Sequence, residues 1–263
     1  MPKRTLAAAE AAAAETATEA QRYRTVIDEL ANELVCPITT ELPIDPVTAA
    51  DGRVYERSAI EGWFQSRRGQ PIKSPVTNMS MGTQLLPAVQ VRNNIKSMVR
   101  TGAISGAKAD AWKKKMEEEE MLAGLRLKAE AGDPVAMWKL GTAYRDGKYG
   151  LTTDLKEAFK YVKQAADKDY VSALSECARM YLGGIGVSQS LPRGFVMLGQ
   201  AINAGSDHAC YLLGYYHSIG LFGCDKDPLE VAKWYRKMAS QPNKIAMHTT
   251  CDEAARWLRE FHP

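Results

Sequence analysis

A threefold internal repeat is the sequence feature that most constrains how this chain can fold. Alanine stands at positions 136, 173 and 209, and each alanine is followed after the same interval by Leu140, Cys177 or Leu213. The register continues through a second segment with Tyr161, Met197 and Trp234 at equivalent places, so the period is 37 and then 36 residues. A period of this length built on helical spacing predicts a helix–turn–helix solenoid, in which each repeat buries its apolar face against the next.

Small and large residues alternate within each repeat in a way that suits close helix packing. Alanine and glycine at the repeated positions allow neighbouring helices to approach, and Tyr144, Tyr181 and Trp234 are predicted to fill the core rather than to bind a ligand. Paired glycines are predicted to supply the loop conformations that other residues resist, at Gly147, Gly184 and Gly220 and again at Gly150, Gly186 and Gly223.

This spacing resembles the Sel-one-like repeats, which are relatives of the tetratricopeptide repeat, over about residues 130 to 240. Cys177 and Ala178 replace the usual Leu-Gly pair in the second repeat, and His217 replaces the usual tyrosine in the third. The segment before the first repeat, Leu125 to Asp133, is interpreted as the tail of a preceding half repeat. The stretch from Asp252 to Phe261 is interpreted as a capping helix, because Ala254, Trp257 and Leu258 share one stripe.

Composition excludes several classes of protein. The chain is 45% hydrophobic and 25% charged, with a net charge of +3, and this mild and evenly spread charge does not favour nucleic acid or a membrane surface as a partner. The five cysteines are widely spaced and contain no CxxC motif, so we expect no disulfide framework and a cytoplasmic or nuclear location.

The sequence divides into four zones. Residues 1–33 are predicted as an Ala-rich N-terminal helix beginning near residue 5, 34–104 as a small α+β domain, 105–130 as an exposed connecting helix, and 131–263 as the all-α repeats with the capping helix. The connecting helix is predicted from the run "AWKKKMEEEEM", in which three lysines precede three glutamates by four residues.

Prolines and short β-branched runs give residues 34–104 a predicted order of loop, hairpin, helix, loop and helix. The first helix is predicted to open with a capping box at Ser58 to Glu61, and the last to run from Val91 to Val99. Cys36 is the only cysteine before Cys177, and the first histidine is His208, so a structural zinc site of the usual Cys/His kind is excluded here.

Polar side chains in two loops are predicted to replace a metal as the link that holds this small domain together. The first loop region offers Thr39, Thr40, Glu41, Asp45 and Asp51, and the second offers Lys73, Ser74, Thr77 and Asn78.

This pattern resembles the U-box family, the zinc-free relative of the RING domain, over about 65 residues. The matching segments are Cys36-Pro37-Ile38, Glu41-Leu42, Asp45-Pro46-Val47, Gly52, Tyr55-Glu56-Arg57, Ile60, Trp63-Phe64, Ser74-Pro75-Val76-Thr77, Leu85-Leu86-Pro87 and Val91-Arg92. The sequence departs from the family at Ala88, where asparagine is common, and in the short loop "QSRRGQPIK".

The resemblance implies a ubiquitin ligase of the non-covalent kind, without metal or other cofactor. Such a domain binds a ubiquitin-conjugating enzyme that carries ubiquitin as a thioester, and a substrate lysine attacks that thioester directly. The ligase therefore supplies orientation rather than a nucleophile, which agrees with the lack of a catalytic triad in the sequence. The partners implied are the conjugating enzyme, ubiquitin and a protein substrate held by the repeats, and a homodimer is left open.

The resemblance also carries specific residues onto this chain. The groove for the conjugating enzyme would consist of Ile38, Trp63, Pro71 and Pro75, and Asn78 would position ubiquitin. The alternatives from the residues themselves are that Ile38 and Trp63 are core, that Pro75 only shapes its loop and that Asn78 only caps a turn. A function of another class, a scaffold that binds partners without transferring ubiquitin, also stays open.

Overall fold

The fold is that of a computed structural model, which describes residues 21–23, 25–27, 29–240 and 248–261. The chain divides into two compact units, residues 1–117 and 118–263. The described residues between 21 and 33 are helical, and the rest of the predicted N-terminal helix, from residue 5 to 20, lies outside the described residues.

The first unit contains a three-stranded antiparallel sheet with the strand order β2-β1-β3. Its strands are β1 (Pro46–Ala49), β2 (Val54–Glu56) and β3 (Leu85–Pro87). The helix α1 (Arg57–Ser66) follows β2 directly, and α2 (Val89–Arg100) follows β3. The predicted order of elements is confirmed except for β3, which the sequence analysis read as loop.

The predicted capping box at Ser58 is wrong, because α1 begins one residue earlier, at Arg57. The N-cap is Glu56, whose side chain makes no capping hydrogen bond. Its carboxylate instead accepts hydrogen bonds from the backbone N–H groups of Ile44, at 2.6 Å, and Asp45, at 3.3 Å. Arg57 donates from its backbone N–H to the Asp45 carbonyl at 3.0 Å, so tertiary contacts rather than a local cap set the start of this helix.

The helix α3 (Ala107–Glu130) is not simply an exposed connection, which corrects the sequence-based prediction. Ala109, Trp112 and Met116 are buried with Leu42 and Ile95 in one of the two hydrophobic clusters of the first unit. The positions 109, 112 and 116 share one face of a helix, and the surrounding lysines and glutamates hide this apolar stripe in the sequence.

Two lysines on α3 lie near residues other than the predicted glutamates. Lys115 forms an ion pair with Glu41, and Lys113 lies 3.8 Å from Asp110. The indole N–H of Trp112 donates to the carbonyl of Pro43 at 3.0 Å. The domain boundaries at 104 and 130 remain predictions, and the first half of α3 contributes core to the first unit.

The second unit is a solenoid of helix pairs, as predicted. Its helices are α4 (Pro134–Asp146), α5 (Leu155–Ala166), α6 (Val171–Gly183), α7 (Leu191–Asn203), α8 (Asp207–Ile219), α9 (Pro228–Ser240) and α10 (His248–Phe261). Leu122, Leu125 and Ala129 from the end of α3 join the same core. The core also contains Ala254 of α10, and Trp257 packs on it with its ring at 5.8 Å from Tyr235.

The repeat register explains the glycines and the departures from the pattern. Gly147, Gly184 and Gly220 each end the first helix of a repeat in the left-handed conformation, with φ of 63°, 67° and 73°. In the second repeat, Ala178 occupies the glycine position of the first helix, and Gly194 on the facing helix restores the close approach. A Cβ on Gly194 would lie 2.5 Å from a carbon of Leu182.

Candidate functional site

The first unit contains two loops with matching backbone hydrogen bonds. Loop one begins with Cys36 to Glu41, "CPITTE", and loop two contains Ser74 to Met79, "SPVTNM". In loop one, Cys36 N–H donates to the carbonyl of Glu41 at 2.9 Å, and Ser74 N–H does the same to Met79 in loop two. This internal repeat was not predicted from the sequence.

The two loops also share a left-handed residue at the same place. Thr40 N–H donates to the Cys36 carbonyl at 2.8 Å, and Asn78 N–H donates to the Ser74 carbonyl at 3.0 Å. Thr40 and Asn78 have φ of 58° and 59°. Asparagine tolerates this region better than most residues, so the backbone alone accounts for an asparagine at 78. Its side chain is exposed.

A polar contact ties loop two to the turn between β1 and β2. The hydroxyl of Ser74 donates to the carboxylate of Asp51 at 2.6 Å, and the phenol of Tyr55 donates to the same carboxylate oxygen at 2.8 Å. Ser74 is only 2% exposed, and its oxygen accepts hydrogen bonds from the N–H groups of Val76 and Thr77. Ser74 therefore closes its own loop and fixes it to the sheet.

The electrostatics of this contact follow from its hydrogen bonds. Burial acts to raise the pKa of Asp51, but the hydrogen bonds from Ser74, Tyr55 and the Arg53 N–H outweigh it, so the pKa lies below its ordinary value. Burial, together with the hydrogen bond to Asp51, raises the pKa of Tyr55 to about 12. Asp51 is therefore charged and Tyr55 neutral near pH 7.

The other polar side chains of the two loops make local contacts. Asp45 accepts from Arg57 Nε at 2.6 Å, and Thr39 and Thr77 each accept a backbone N–H within their own loop at 3.4 Å. Among the described loop residues, the predicted polar network thus reduces to one side-chain bridge, Asp51–Ser74, supported by these local bonds.

Trp63 links α1 to loop two. Its indole N–H donates to the carbonyl of Lys73 at 2.9 Å, and the guanidinium of Arg67 lies 4.0 Å from the centre of the ring. The side chain is half-buried against the second hydrophobic cluster of the unit, which contains Cys36, Val47, Ala49, Tyr55 and Ile60. Trp63 therefore positions loop two as well as presenting surface.

The structure places the predicted groove residues around these loops. Ile38 is half-buried and packs on the same hydrophobic cluster as Trp63. Pro71 is exposed and Pro75 is half-buried, and they stand on either side of Lys73, whose carbonyl Trp63 binds. The structure thus brings Ile38 and Trp63 onto one cluster and anchors the segment from Pro71 to Pro75 beside Trp63.

Val76 is a candidate that the sequence analysis did not select. It is the loop-two equivalent of Ile38 in the internal repeat, and its side chain is 43% exposed. An exposed aliphatic side chain on an ordered loop is a common feature of a protein-binding surface. Comparison of "CPITTE" with "SPVTNM" would have revealed it.

The first unit offers a surface rather than a reaction centre. Cys36 is completely buried, so its thiol is not accessible to a partner. Within the residues that the structure describes, no group of three or more His, Cys, Asp or Glu side chains is placed to hold a metal ion. Such a surface can bind and orient a partner.

The aromatic residues predicted for the repeat core lie there. Tyr144 stacks on Tyr161 with ring centres 5.7 Å apart, and Tyr181 is 6% exposed. Trp234 packs on the same cluster. None of the helices in the described part of the chain has the length and the apolar character needed to cross a bilayer.

Comparison with known families identifies both units. The U-box domain family matches residues 30–102, and the Sel1 repeat family matches residues 134–170, 171–206 and 207–243. The chain therefore contains a U-box domain and three Sel1 repeats, and the repeat starts reproduce the predicted periods of 37 and 36 residues.

The similar proteins cover parts of the chain only. U-box domain-containing protein 43 of Arabidopsis thaliana is 40% identical over 73 residues, which are 27% of this chain and 9% of that protein. The WD repeat, SAM and U-box domain-containing protein 1 of Danio rerio is 49% identical over 55 residues, 21% of this chain and 11% of that protein. The chain thus spans about a tenth of the length of these curated relatives.

A solved structure of another protein matches part of the chain. The crystal structure of a protective antigen of uropathogenic Escherichia coli with an SLR fold is 31% identical, with a TM-score of 0.41, and the match covers 46% of this chain and 26% of that one.

Proposed function

We propose that this chain, which combines a U-box domain with three Sel1 repeats, is a ubiquitin ligase of the non-covalent kind. U-box domains are typical of the E3 ubiquitin ligases, and this relation supports the class of activity. The finer proposal is that the first unit docks a ubiquitin-charged conjugating enzyme and that the repeats hold the protein substrate.

The observation that carries the proposal is the pair of matched loops held in place by hydrogen bonds. Asp51–Ser74 and Trp63–Lys73 fix loop two, and the loops present partly exposed aliphatic side chains at Ile38 and Val76. Apolar anchors on a rigid surface suit the docking of a preformed partner, because little conformational entropy is lost on binding.

The mechanism follows from what the first unit lacks. With its cysteine completely buried, the described part of the unit offers no accessible thiol to accept ubiquitin, so transfer goes directly from the conjugating enzyme to a substrate lysine. The ligase contributes by restricting the thioester and the attacking amine to a productive geometry, which lowers the entropic part of the barrier.

Individual residues have separate roles in this proposal. Ile38, Val76 and Pro75 contact the conjugating enzyme directly, while Trp63 provides surface and holds loop two through Lys73. Pro71 borders the same loop. Asn78 positions ubiquitin through its exposed amide, which can both donate and accept a hydrogen bond.

The location proposed for this activity is the cytoplasm or the nucleus. The described cysteines Cys36, Cys177, Cys210 and Cys224 are all free thiols, which suits a reducing compartment.

A reconstituted reaction tests the proposal. The full chain is mixed with activating enzyme, ubiquitin and a panel of conjugating enzymes, and we expect ubiquitin to be attached to the chain itself or to added protein. Ile38→Ala and Val76→Ala should each reduce the rate about tenfold, because each removes apolar contact with the conjugating enzyme.

Leu229→Ala is the matched control, since Leu229 is 70% exposed but belongs to the repeats. It should leave the rate unchanged. A properly folded chain that transfers ubiquitin with none of the conjugating enzymes would instead support the scaffold function, in which the U-box serves only for assembly.

A further inference from the structure

The second repeat differs from its neighbours on the outer face of its second helix. In the first repeat, Glu157 and Lys160 form an ion pair at 2.9 Å, and in the third, Glu230 and Lys233 form the equivalent pair at 2.8 Å. The equivalent positions of α7 hold Arg193 and Val196. The acidic position has become basic, and the lysine position has become apolar.

In the other two repeats, the lysine also lies near the ring of the aromatic residue that follows it. Lys160 Nζ lies 5.5 Å from the ring centre of Tyr161, and Lys233 Nζ lies 5.3 Å from that of Trp234. At the corresponding place in α7, Val196 stands beside Met197 and is 61% exposed. The second repeat therefore exposes apolar surface where the other two repeats carry a charge.

This surface forms one side of a groove between α5 and α7. The groove has a volume of about 500 Å³ and is lined by Lys163, Tyr181, Pro192, Arg193, Val196 and Met197. Tyr181, which lines the groove, is 6% exposed, and its ring packs edge-on against that of Phe159 with the ring centres 5.1 Å apart. The apolar lining thus rests on the rigid core of the repeats.

The charged residues at the groove are cations. Lys163 forms an ion pair with Asp167, the residue directly after α5, and the guanidinium of Arg193 lies 5.9 Å from the ring of Tyr181. Arg193 takes part in none of the ion pairs found among the described residues, so it can bind a carboxylate from a partner. A guanidinium is well suited to this task because it offers paired donors in a planar fork.

From this combination we infer that the α5–α7 groove is a peptide-binding site for a segment with a large apolar side chain next to an acidic residue. The apolar side chain enters between Val196, Met197 and Tyr181, and the adjacent carboxylate binds Arg193. The assignment of this segment to the substrate of the ligase rests on the proposed function, whereas binding of the peptide to the groove does not.

A phage library of random octapeptides tests the inference on the full chain. We expect the selected peptides to be enriched in Leu, Phe or Met directly beside Asp or Glu. The double substitution Arg193→Glu with Val196→Lys recreates the ion pair of the other repeats, so it should fold normally. It should weaken binding of the selected peptides at least about tenfold, because both the carboxylate and the apolar contacts are lost.

The control exchanges Glu230→Lys with Lys233→Glu, which reverses the ion pair of the third repeat and should leave peptide binding unchanged. The inference is overturned if no such enrichment occurs, if the Arg193/Val196 variant binds the peptides as well as the natural chain does, or if polyglutamate competes equally, since charge alone would then explain binding.

The same variant separates this inference from the proposed function. Ubiquitin transfer to free lysine requires only the first unit in our proposal, so the Arg193/Val196 variant should retain it fully. If the natural chain transfers ubiquitin but selects no such peptides, the groove inference fails and the ligase proposal stands. If the natural chain selects the peptides but transfers no ubiquitin, the ligase proposal fails and the groove inference stands.

Discussion

At the residue scale, the first unit depends on a few polar side chains that each satisfy several partners. Ser74 donates to Asp51 and accepts two N–H groups of its own loop. Removing a buried group of this kind leaves its partners unsatisfied, which costs about 1–3 kcal/mol. Sequence alone identified these loop residues as polar links, but it could not identify which pair would meet, because the pairing depends on the turn between β1 and β2.

Asp51→Asn should lower the stability of the first unit in a pH-dependent way. The pKa of Asp51 is depressed in the fold, so its stabilising contribution is present above the unfolded value of about 3.9 and is lost as the pH falls through the lower folded value. Urea unfolding followed through the amide resonances of Val76 and Thr77 measures this. The difference in the free energy of unfolding between the natural chain and the variant should be constant from about pH 5 to about pH 7 and should shrink below about pH 4. A difference that does not change with pH would contradict the assignment.

Substitutions at Asn78 distinguish a role for its backbone from a role for its side chain. Asn78→Gly keeps the left-handed conformation, so it should retain stability, while Asn78→Ala should lose about 1 kcal/mol. If the amide positions ubiquitin, both variants should slow ubiquitin transfer to a similar extent. Full activity of Asn78→Gly in the reconstituted reaction would show that asparagine serves only the turn.

At the scale of elements, spacing predicted the repeats well and the small sheet poorly. The register of Ala136, Ala173 and Ala209 fixes the helix pairs, because each repeat buries equivalent positions against the neighbouring repeat. The strand β3 is only three residues long and ends in Pro87, so its sequence resembles a loop until the pairing of Val47 with Pro87 is known. The apolar positions on one face of α3 are present in the sequence, but the many charged residues around them made the helix look fully exposed.

Trp112→Phe tests the contribution of α3 to the first unit. The variant keeps most of the buried ring but loses the hydrogen bond to the Pro43 carbonyl, so we expect a loss of about 1–2 kcal/mol. Hydrogen exchange should show faster opening of α2 and of the segment around Leu42. Exchange that increases only in α3 itself would mean that this helix is not part of the core of the first unit.

Gly186→Ala and Gly150→Ala test the contact between repeats. Both glycines have positive φ, 68° and 74°, so both substitutions strain the backbone similarly. A Cβ on Gly186 would lie 1.8 Å from the carbonyl oxygen of Leu155, whereas one on Gly150 would meet nothing within 4 Å. Thermal unfolding should therefore show Gly186→Ala to be at least about 2 kcal/mol less stable than Gly150→Ala. Equal stabilities would show that the loop can move away without cost.

At the scale of the whole molecule, our proposal joins a U-box surface that orients one partner to a repeat array that holds another. The U-box domain presents its two loops on a small rigid core, and the Sel1 repeats carry one groove whose chemistry departs from that of their own pattern. Sequence could identify both families, and the residues that it assigned to the conjugating-enzyme groove remain predictions. It did not identify Val76 or the α5–α7 groove, because both appear only when repeated segments are compared position by position.

The central claim is that the first unit accelerates ubiquitin transfer by orientation alone, and single-turnover discharge tests it most directly. A conjugating enzyme already charged with ubiquitin is mixed with free lysine, and loss of the thioester is followed with and without this protein. We predict an acceleration of at least about tenfold that persists in Cys36→Ala and is lost in Ile38→Ala. A ubiquitin thioester on this chain, or no acceleration with any conjugating enzyme that the folded protein binds, would contradict the account.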